Sequence, residues 1–191
     1  MDLREGAISD TVISAADFLR LVLFTGLRKQ EALTLQWDQI DLKDKTFRIP
    51  DPKNHQPLTL PLSDYLHALL EARVAEAVNG YVFAGREGIG HLVEPKRQVR
   101  QVVESSGVQF MVHDLRRTFI TIAEGLDIPL YAIKRLVNHK MSGDVTAGYI
   151  VSDVERLRGP MQAITDFILD TVGAKLSTRN LAGFHLHRIT S

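Results

Sequence analysis

The sequence predicts an α+β fold, predominantly helical, with a small antiparallel three-stranded sheet at one edge. Three observations carry this expectation. Apolar residues recur at helical spacing through most of the chain. One stretch, residues 40–62, changes to the two-residue alternation of paired strands. Glycine, proline and Asn-Gly signals fall between these stretches rather than inside them. A chain of 191 residues is most simply one domain, large enough for a substantial core.

Residues 1–12 carry little pattern and read as an extended lead-in. Residues 13–25 are apolar on nearly all sides, as in a buried helix, and Gly26 ends them. Residues 29–36 read as a second, short helix. Thr46-Phe47-Arg48-Ile49 and Leu58-Thr59-Leu60 alternate like paired strands. The turn chemistry of residues 50–57, rich in proline, aspartate and asparagine, sets Lys53 at the tip of that hairpin. Ser63 or Asp64 caps a helix expected to reach Val78, with Leu66, Leu69, Leu70, Val74 and Ala77 as its stripe; Asn79-Gly80 stops it. Tyr81-Val82-Phe83 is the expected third strand, and residues 85–90 a loop. Residues 94–105 form a basic helix bearing Lys96, Arg97 and Arg100, closed by Ser106-Gly107. Residues 113–125 form a helix with Leu115, Phe119, Ile122 and Leu126 on one face. Pro129 opens the next, which reaches about Asn138. Met161, Ile164, Ile168, Val172 and Leu176 recur at helical spacing after Pro160, giving an amphipathic final helix. There is no internal repeat, low-complexity tract or clear linker, so the expected organisation is one domain over residues 1–191, with a core at 13–159 and a helix and tail at 160–191.

Composition narrows the function classes. Apolar content of 45% and charged content of 24% are ordinary for a globular protein. The absence of cysteine excludes a disulfide framework, a thiol nucleophile and a cysteine zinc site, and is compatible with the cytoplasm, the compartment expected here. No apolar run is long enough to span a membrane. A formal net charge of zero argues against a nucleic-acid binder, but the charge is unevenly spread. Residues 128–143 hold Lys134, Arg135 and Lys140 and no acidic residue, and Arg116 and Arg117 are adjacent. A neutral total predicts modest, salt-sensitive affinity for DNA.

Chemistry is concentrated in an ordered set: Arg28, Lys53, His113 with Arg116, His139 and Tyr149. Two guanidiniums can clamp non-bridging phosphate oxygens bidentately. A phenol can hold a covalent intermediate, and a lysine or histidine can protonate a leaving oxygen. At 100° per residue His113 and Arg116 share a side of their helix, read as opposite the Leu115–Phe119–Ile122 stripe. Arg28 follows a helix-ending glycine, where helix-start N–H groups favour an anion. Each residue also has an ordinary reading. Arg28 and Glu31 could form a surface i,i+3 ion pair worth about 0.2–0.5 kcal/mol, Lys53 could be an exposed turn lysine, and His139 a helix C-cap. Phe184-His185-Leu186-His187 offers a His-x-His pair with no acidic or third histidine partner nearby in sequence, so no metal is expected.

Arg28 stands in Thr25-Gly26-Leu27-Arg28-Lys29-Gln30-Glu31-Ala32-Leu33, His113 in His113-Asp114-Leu115-Arg116-Arg117-Thr118, His139 in Leu136-Val137-Asn138-His139, and Tyr149 in Thr146-Ala147-Gly148-Tyr149. Taken in order over residues 14–150, these segments resemble the catalytic domain of the tyrosine recombinases, the phage integrase family. The resemblance implies Tyr149 as nucleophile and Arg28 and Arg116 as the phosphate clamp. It implies His113 and His139 as phosphate or proton partners, Lys53 as acid for the 5′ oxygen, and Glu31 as support for the site. It implies metal- and ATP-independent strand transfer without a cofactor, on double-stranded DNA, by a homotetramer, with accessory DNA-bending proteins as possible partners. One departure stands out: the family's histidine normally follows glycine, and here Asn138 precedes His139. Asparagine tolerates the left-handed conformation at a helix end better than other non-glycine residues. The helical DNA-binding domain that usually precedes this one in the family is not recognised in the chain. A type IB topoisomerase-like activity and a non-catalytic helical DNA-binding module are the alternative readings.

Overall fold

The structure, a computed structural model, describes residues 10–53, 57–139 and 154–173. It is predominantly helical with one three-stranded antiparallel sheet, the fold class expected from the sequence. Helix α1 (Asp10–Thr25) lies at the centre and packs against α2 (Lys29–Leu33), α3 (Asp64–Val74), α4 (Lys96–Ser106), α5 (Val112–Gly125) and α7 (Val154–Thr171). Its all-round apolar character has that cause: Ala15, Phe18, Leu21 and Val22 are fully buried on one broad face, Phe24 is buried beyond it, and Leu19 and Leu23 pack partly buried against the core on the other side. Helix α6 (Leu130–Leu136) packs on α5 and α7.

The sheet runs β1 (Ile40–Asp41), β2 (Thr46–Ile49), β3 (Leu58–Pro61), in that order. Phe47 faces Leu60 and Ile49 faces Leu58 across β2 and β3, and all four are buried, as their alternation requires. The third strand is not the expected one. Tyr81 makes only an isolated bridge to Gln36, while Ile40 and Asp41 pair with Phe47 and Thr46. Val82 and Phe83 are buried instead as part of the core beneath a loop. That loop is fixed by Arg73, which donates to Asp17 at 2.8 Å and to the Val82 carbonyl at 3.0 Å and lies 4.8 Å over the Phe83 ring.

Two helices differ in extent from their sequence patterns. α3 stops at Val74, four residues before Val78; Leu66, Leu69 and Leu70 are buried, but Val74 is already 41% exposed. α7 begins at Val154 and carries Pro160 inside it. The reason is Leu157: with Met161, Ile164 and Ile168 it makes one buried stripe, and that combined burial outweighs the lost backbone bond and ring clash of the proline, about 3 kcal/mol. Val172 is exposed beyond the helix end, and Leu176 lies outside the described residues. α7 thus packs within its own chain, on β3, α5 and α6. Arg158 ties it to the β1–β2 turn through the Asp44 and Lys45 carbonyls. Among the described residues no helix is long and apolar enough to cross a membrane.

Candidate active site

Helices α1 and α6 end side by side against α5, and both end in the left-handed conformation. Gly26 has φ 65° and Asn138 φ 51°. At Gly26 the close approach is as decisive as the dihedral, because a Cβ there would stand 2.6 Å from Cδ1 of Phe119. The Asn138 turn is a Schellman cap: the His139 N–H donates to Lys134 O at 2.9 Å and the Asn138 N–H to Arg135 O at 3.2 Å.

Arg116 lies where these ends meet. Its two terminal nitrogens donate to the Gly26 and Val137 carbonyls. The residue is 3% exposed, on the buried face of α5 with Val112, Phe119 and Ala123. This corrects the expectation that Arg116 sits opposite the apolar stripe. The helical angle places it 60° from both His113 and Phe119. Carbonyls at the negative ends of two helices turn it inward. Burial first, and then the neighbouring Arg28, lower its pKa to about 10, against a raising contribution from Glu31, so it keeps its charge at neutral pH.

Arg28 is the N-cap of α2. One terminal nitrogen donates to Asn138 O at 3.1 Å and the other to Glu31 at 3.0 Å. The other oxygen of Glu31 accepts from the Arg28 backbone N–H at 3.0 Å. The Glu31 carboxylate is only 8% exposed, so the contact is not a surface ion pair. It also takes the N–H that the sequence reading offered to an anion. Arg28 and Arg116 therefore bond to consecutive carbonyls, Asn138 and Val137. A guanidinium has five donors and no acceptor. Among the described residues each of these two spends two, so the remaining donors could meet an anion.

His139 follows directly, its side chain exposed. Desolvation, then the positive charges of Arg116, Arg28 and Lys134, hold its imidazole below the ordinary histidine pKa. The same neighbourhood thus holds two arginines and an imidazole whose neutral form they favour. His113 is exposed at the N-terminal turn of α5, on the rim of a cleft that it shares with Lys29, Glu94, Lys96 and Arg100. Its neighbour Arg117 is tied to Asp114 at 2.9 Å. Lys53 is exposed at the end of the described part of the β2–β3 turn, and among the described residues no hydrogen bond joins it to the arginines. Tyr149, His185 and His187 lie outside the described residues. Among those described, no group of histidines and carboxylates could hold a metal ion.

The other three tyrosines have packing roles. Tyr65 lies 4.5 Å from the Phe24 ring, with its pKa raised chiefly by burial; Tyr81 packs edge-on against His91; and Arg156 lies 5.9 Å over the Tyr131 ring. The groups that sequence reasoning missed are the carbonyls of Gly26, Val137 and Asn138. Only the helix-end glycine and asparagine signalled them.

A model of the phage integrase family matches residues 5–156. The chain belongs to that family. It is 29% identical over 166 residues to prophage integrase IntF of Escherichia coli, covering 83% of this chain and 35% of that one. It is 26% identical over 127 residues to tyrosine recombinase XerA of Saccharolobus solfataricus, covering 64% and 40%. The chain thus spans well under half the length of these relatives. Among solved structures, the integrase from mycobacterium phage Brujita superposes with a TM-score of 0.63 at 20% identity, covering 93% of this chain and 58% of that one. The XerH recombinase bound to its difH substrate before cleavage gives 0.57 at 22% identity, covering 71% and 42%. At these identities the structures establish a shared fold.

Proposed function

We propose that this integrase-family chain is a catalytic domain that cleaves and rejoins DNA strands in site-specific recombination, with Tyr149 as nucleophile. The observation that carries the reading is the pairing of Arg28 and Arg116 on consecutive carbonyls, with His139 beside them. Two guanidiniums so fixed, each with donors to spare, suit the two non-bridging oxygens of a phosphodiester. They stabilise the charge that builds on those oxygens as the fifth bond to phosphorus forms. His139 donates to one of the oxygens, and His113 accepts the phenol proton or bonds the phosphate. Tyr149 attacks phosphorus, the bond to the 5′ oxygen breaks, and Lys53 gives that oxygen its proton. The product is a 3′-phosphotyrosine and a free 5′-hydroxyl. A 5′-hydroxyl from a partner strand reverses the step, so the phosphodiester bond is conserved and ATP is not consumed. Glu31 acts through Arg28, by fixing its backbone and guanidinium. Relatives solved on DNA include the XerH–difH complex and a lambda integrase dimer on a core site. For this chain the proposed partner is likewise a duplex recombination site, engaged by a homotetramer through a Holliday junction, with accessory DNA-bending proteins where the site needs them.

The test is covalent capture on a nicked suicide substrate of the chain's own attachment site. The wild type should be trapped. Tyr149→Phe should bind the DNA and form no adduct, while Tyr131→Phe, whose ring packs under Arg156, should still be trapped. An adduct with Tyr149→Phe would overturn the assignment.

A further inference from the structure

The site depends on a backbone conformation that only a few residue types adopt. Asn138 is 8% exposed and sits at φ 51°. Its N–H and that of His139 close the end of α6 on Arg135 and Lys134. The same turn presents two consecutive carbonyls, Val137 to Arg116 and Asn138 to Arg28. If the turn opened, both guanidiniums would lose an acceptor at once, and His139, next in the chain, would shift with it.

We propose that Asn138 is a positioning residue for the phosphate pocket: its left-handed turn aims Arg116 and Arg28 through two adjacent carbonyls and sets His139 next to them. The proposal rests on the phosphodiester reading above. Asn138 touches no reacting atom in this scheme; it acts through the three residues it orients. What matters is the backbone, so a residue that accepts the left-handed region should substitute freely, and one that resists it should not. Glycine accepts it without steric cost, while alanine is opposed by its Cβ. An amide-specific role would give the opposite pattern, with both substitutions failing alike.

The experiment compares Asn138→Gly and Asn138→Ala with the wild type by two readouts. The first is single-turnover cleavage of the suicide substrate at saturating DNA. Asn138→Gly should cleave within about twofold of wild type, and Asn138→Ala about ten- to a hundredfold more slowly, since small displacements of positioned groups cost rates of that order. Half-saturation by DNA should barely move, because in the proposed scheme this pocket meets a single phosphodiester of the duplex. The second readout needs no catalysis: the His139 imidazole titration followed by NMR in the free protein. Its low pKa should persist in Asn138→Gly and return toward the ordinary histidine value in Asn138→Ala. If the wild type formed no adduct, the recombinase reading would fall while the titration still decided the positioning role. Wild-type cleavage by Asn138→Ala, or an Asn138→Gly variant as impaired as Asn138→Ala in cleavage or titration, would overturn the proposal. Should Asn138→Ala fail to fold, the glycine variant alone decides, since loss of cleavage or of the depressed titration there contradicts a backbone role.

Discussion

The helix-end cradle and the hairpin tip hold their cations in opposite ways. Arg116 is buried, with carbonyls of two helix ends on its guanidinium, and Arg28 is pinned by Glu31 and Asn138. Lys53 is exposed on a turn. The cradle costs desolvation, visible in the lowered pKa of Arg116, and gains fixed geometry. In the proposed scheme, charges that must meet the phosphate at a set angle are built into the core, and a group that only delivers a proton to the leaving oxygen can approach with the DNA. This division predicts that substitutions in the cradle damage fold and chemistry together, whereas those at the tip damage chemistry alone.

The largest combined effect on fold and chemistry is expected at Arg116. Lysine cannot span two carbonyls, so Arg116→Lys leaves a buried acceptor without its partner and should destabilise the fold by about 1–3 kcal/mol in urea unfolding. Covalent capture should fall about a hundred- to a thousandfold. Arg28→Lys sharpens the contrast. Its side chain is 25% exposed, so capture should fall comparably while stability changes less. Equal stability losses at the two positions would show that they are not held differently.

Gly26→Ala tests the other half of the cradle without touching a charge. The added methyl meets both a positive φ and the Phe119 ring. The left-handed backbone alone should cost about 1–2 kcal/mol, with the melting temperature falling accordingly. Gly125→Ala is the control, since nothing lies within 4 Å of a Cβ built there. A neutral Gly26→Ala would mean that the end of α1 adapts, and that Arg116 does not depend on it.

Much of this fold was legible because burial imposes period. The α1 run, the β2–β3 alternation and the Leu66–Leu69–Leu70 stripe all name their own environments. The exceptions are physical. β1 has two residues, too few to alternate, while Val82 and Phe83 look like a strand because the core buries them without a ladder. Pro160 reads as a helix start, yet the helix runs through it because Leu157, Met161, Ile164 and Ile168 are buried together as one stripe. In the site, residue types announced Arg28, Arg116 and His139. The acceptors that orient them are main-chain carbonyls, which every residue has, so only Gly26 and Asn138 hinted at where the chain would turn.

At the tip, Lys53→Ala should leave stability within about 0.5 kcal/mol of wild type, as for an exposed side chain without a structural role. Cleavage should slow about a hundred- to ten-thousandfold, the range for a lost general acid. The defect should be chemically reversible. A substrate with sulfur in place of the bridging 5′ oxygen has a leaving group that needs no proton, so it should restore cleavage to Lys53→Ala and not to Arg116→Lys. If sulfur rescued neither, Lys53 would act on binding rather than on the leaving group.

The smallest effect is a titration. His139 is held below the ordinary histidine pKa by desolvation and by Arg116, Arg28 and Lys134. The folded chain therefore binds fewer protons there than the unfolded chain as pH falls through the histidine range. By linkage, this residue's contribution makes the fold less stable as pH drops through about 6.5 and below. A bound phosphodiester brings negative charge to the same pocket and must raise that pKa, so binding takes up a proton in this window. Affinity for a short duplex should rise as pH falls from 8 toward 6, and His139→Gln should flatten that dependence. An imidazole titration unchanged by DNA would place His139 outside the phosphate's reach and reduce the cradle to its two arginines.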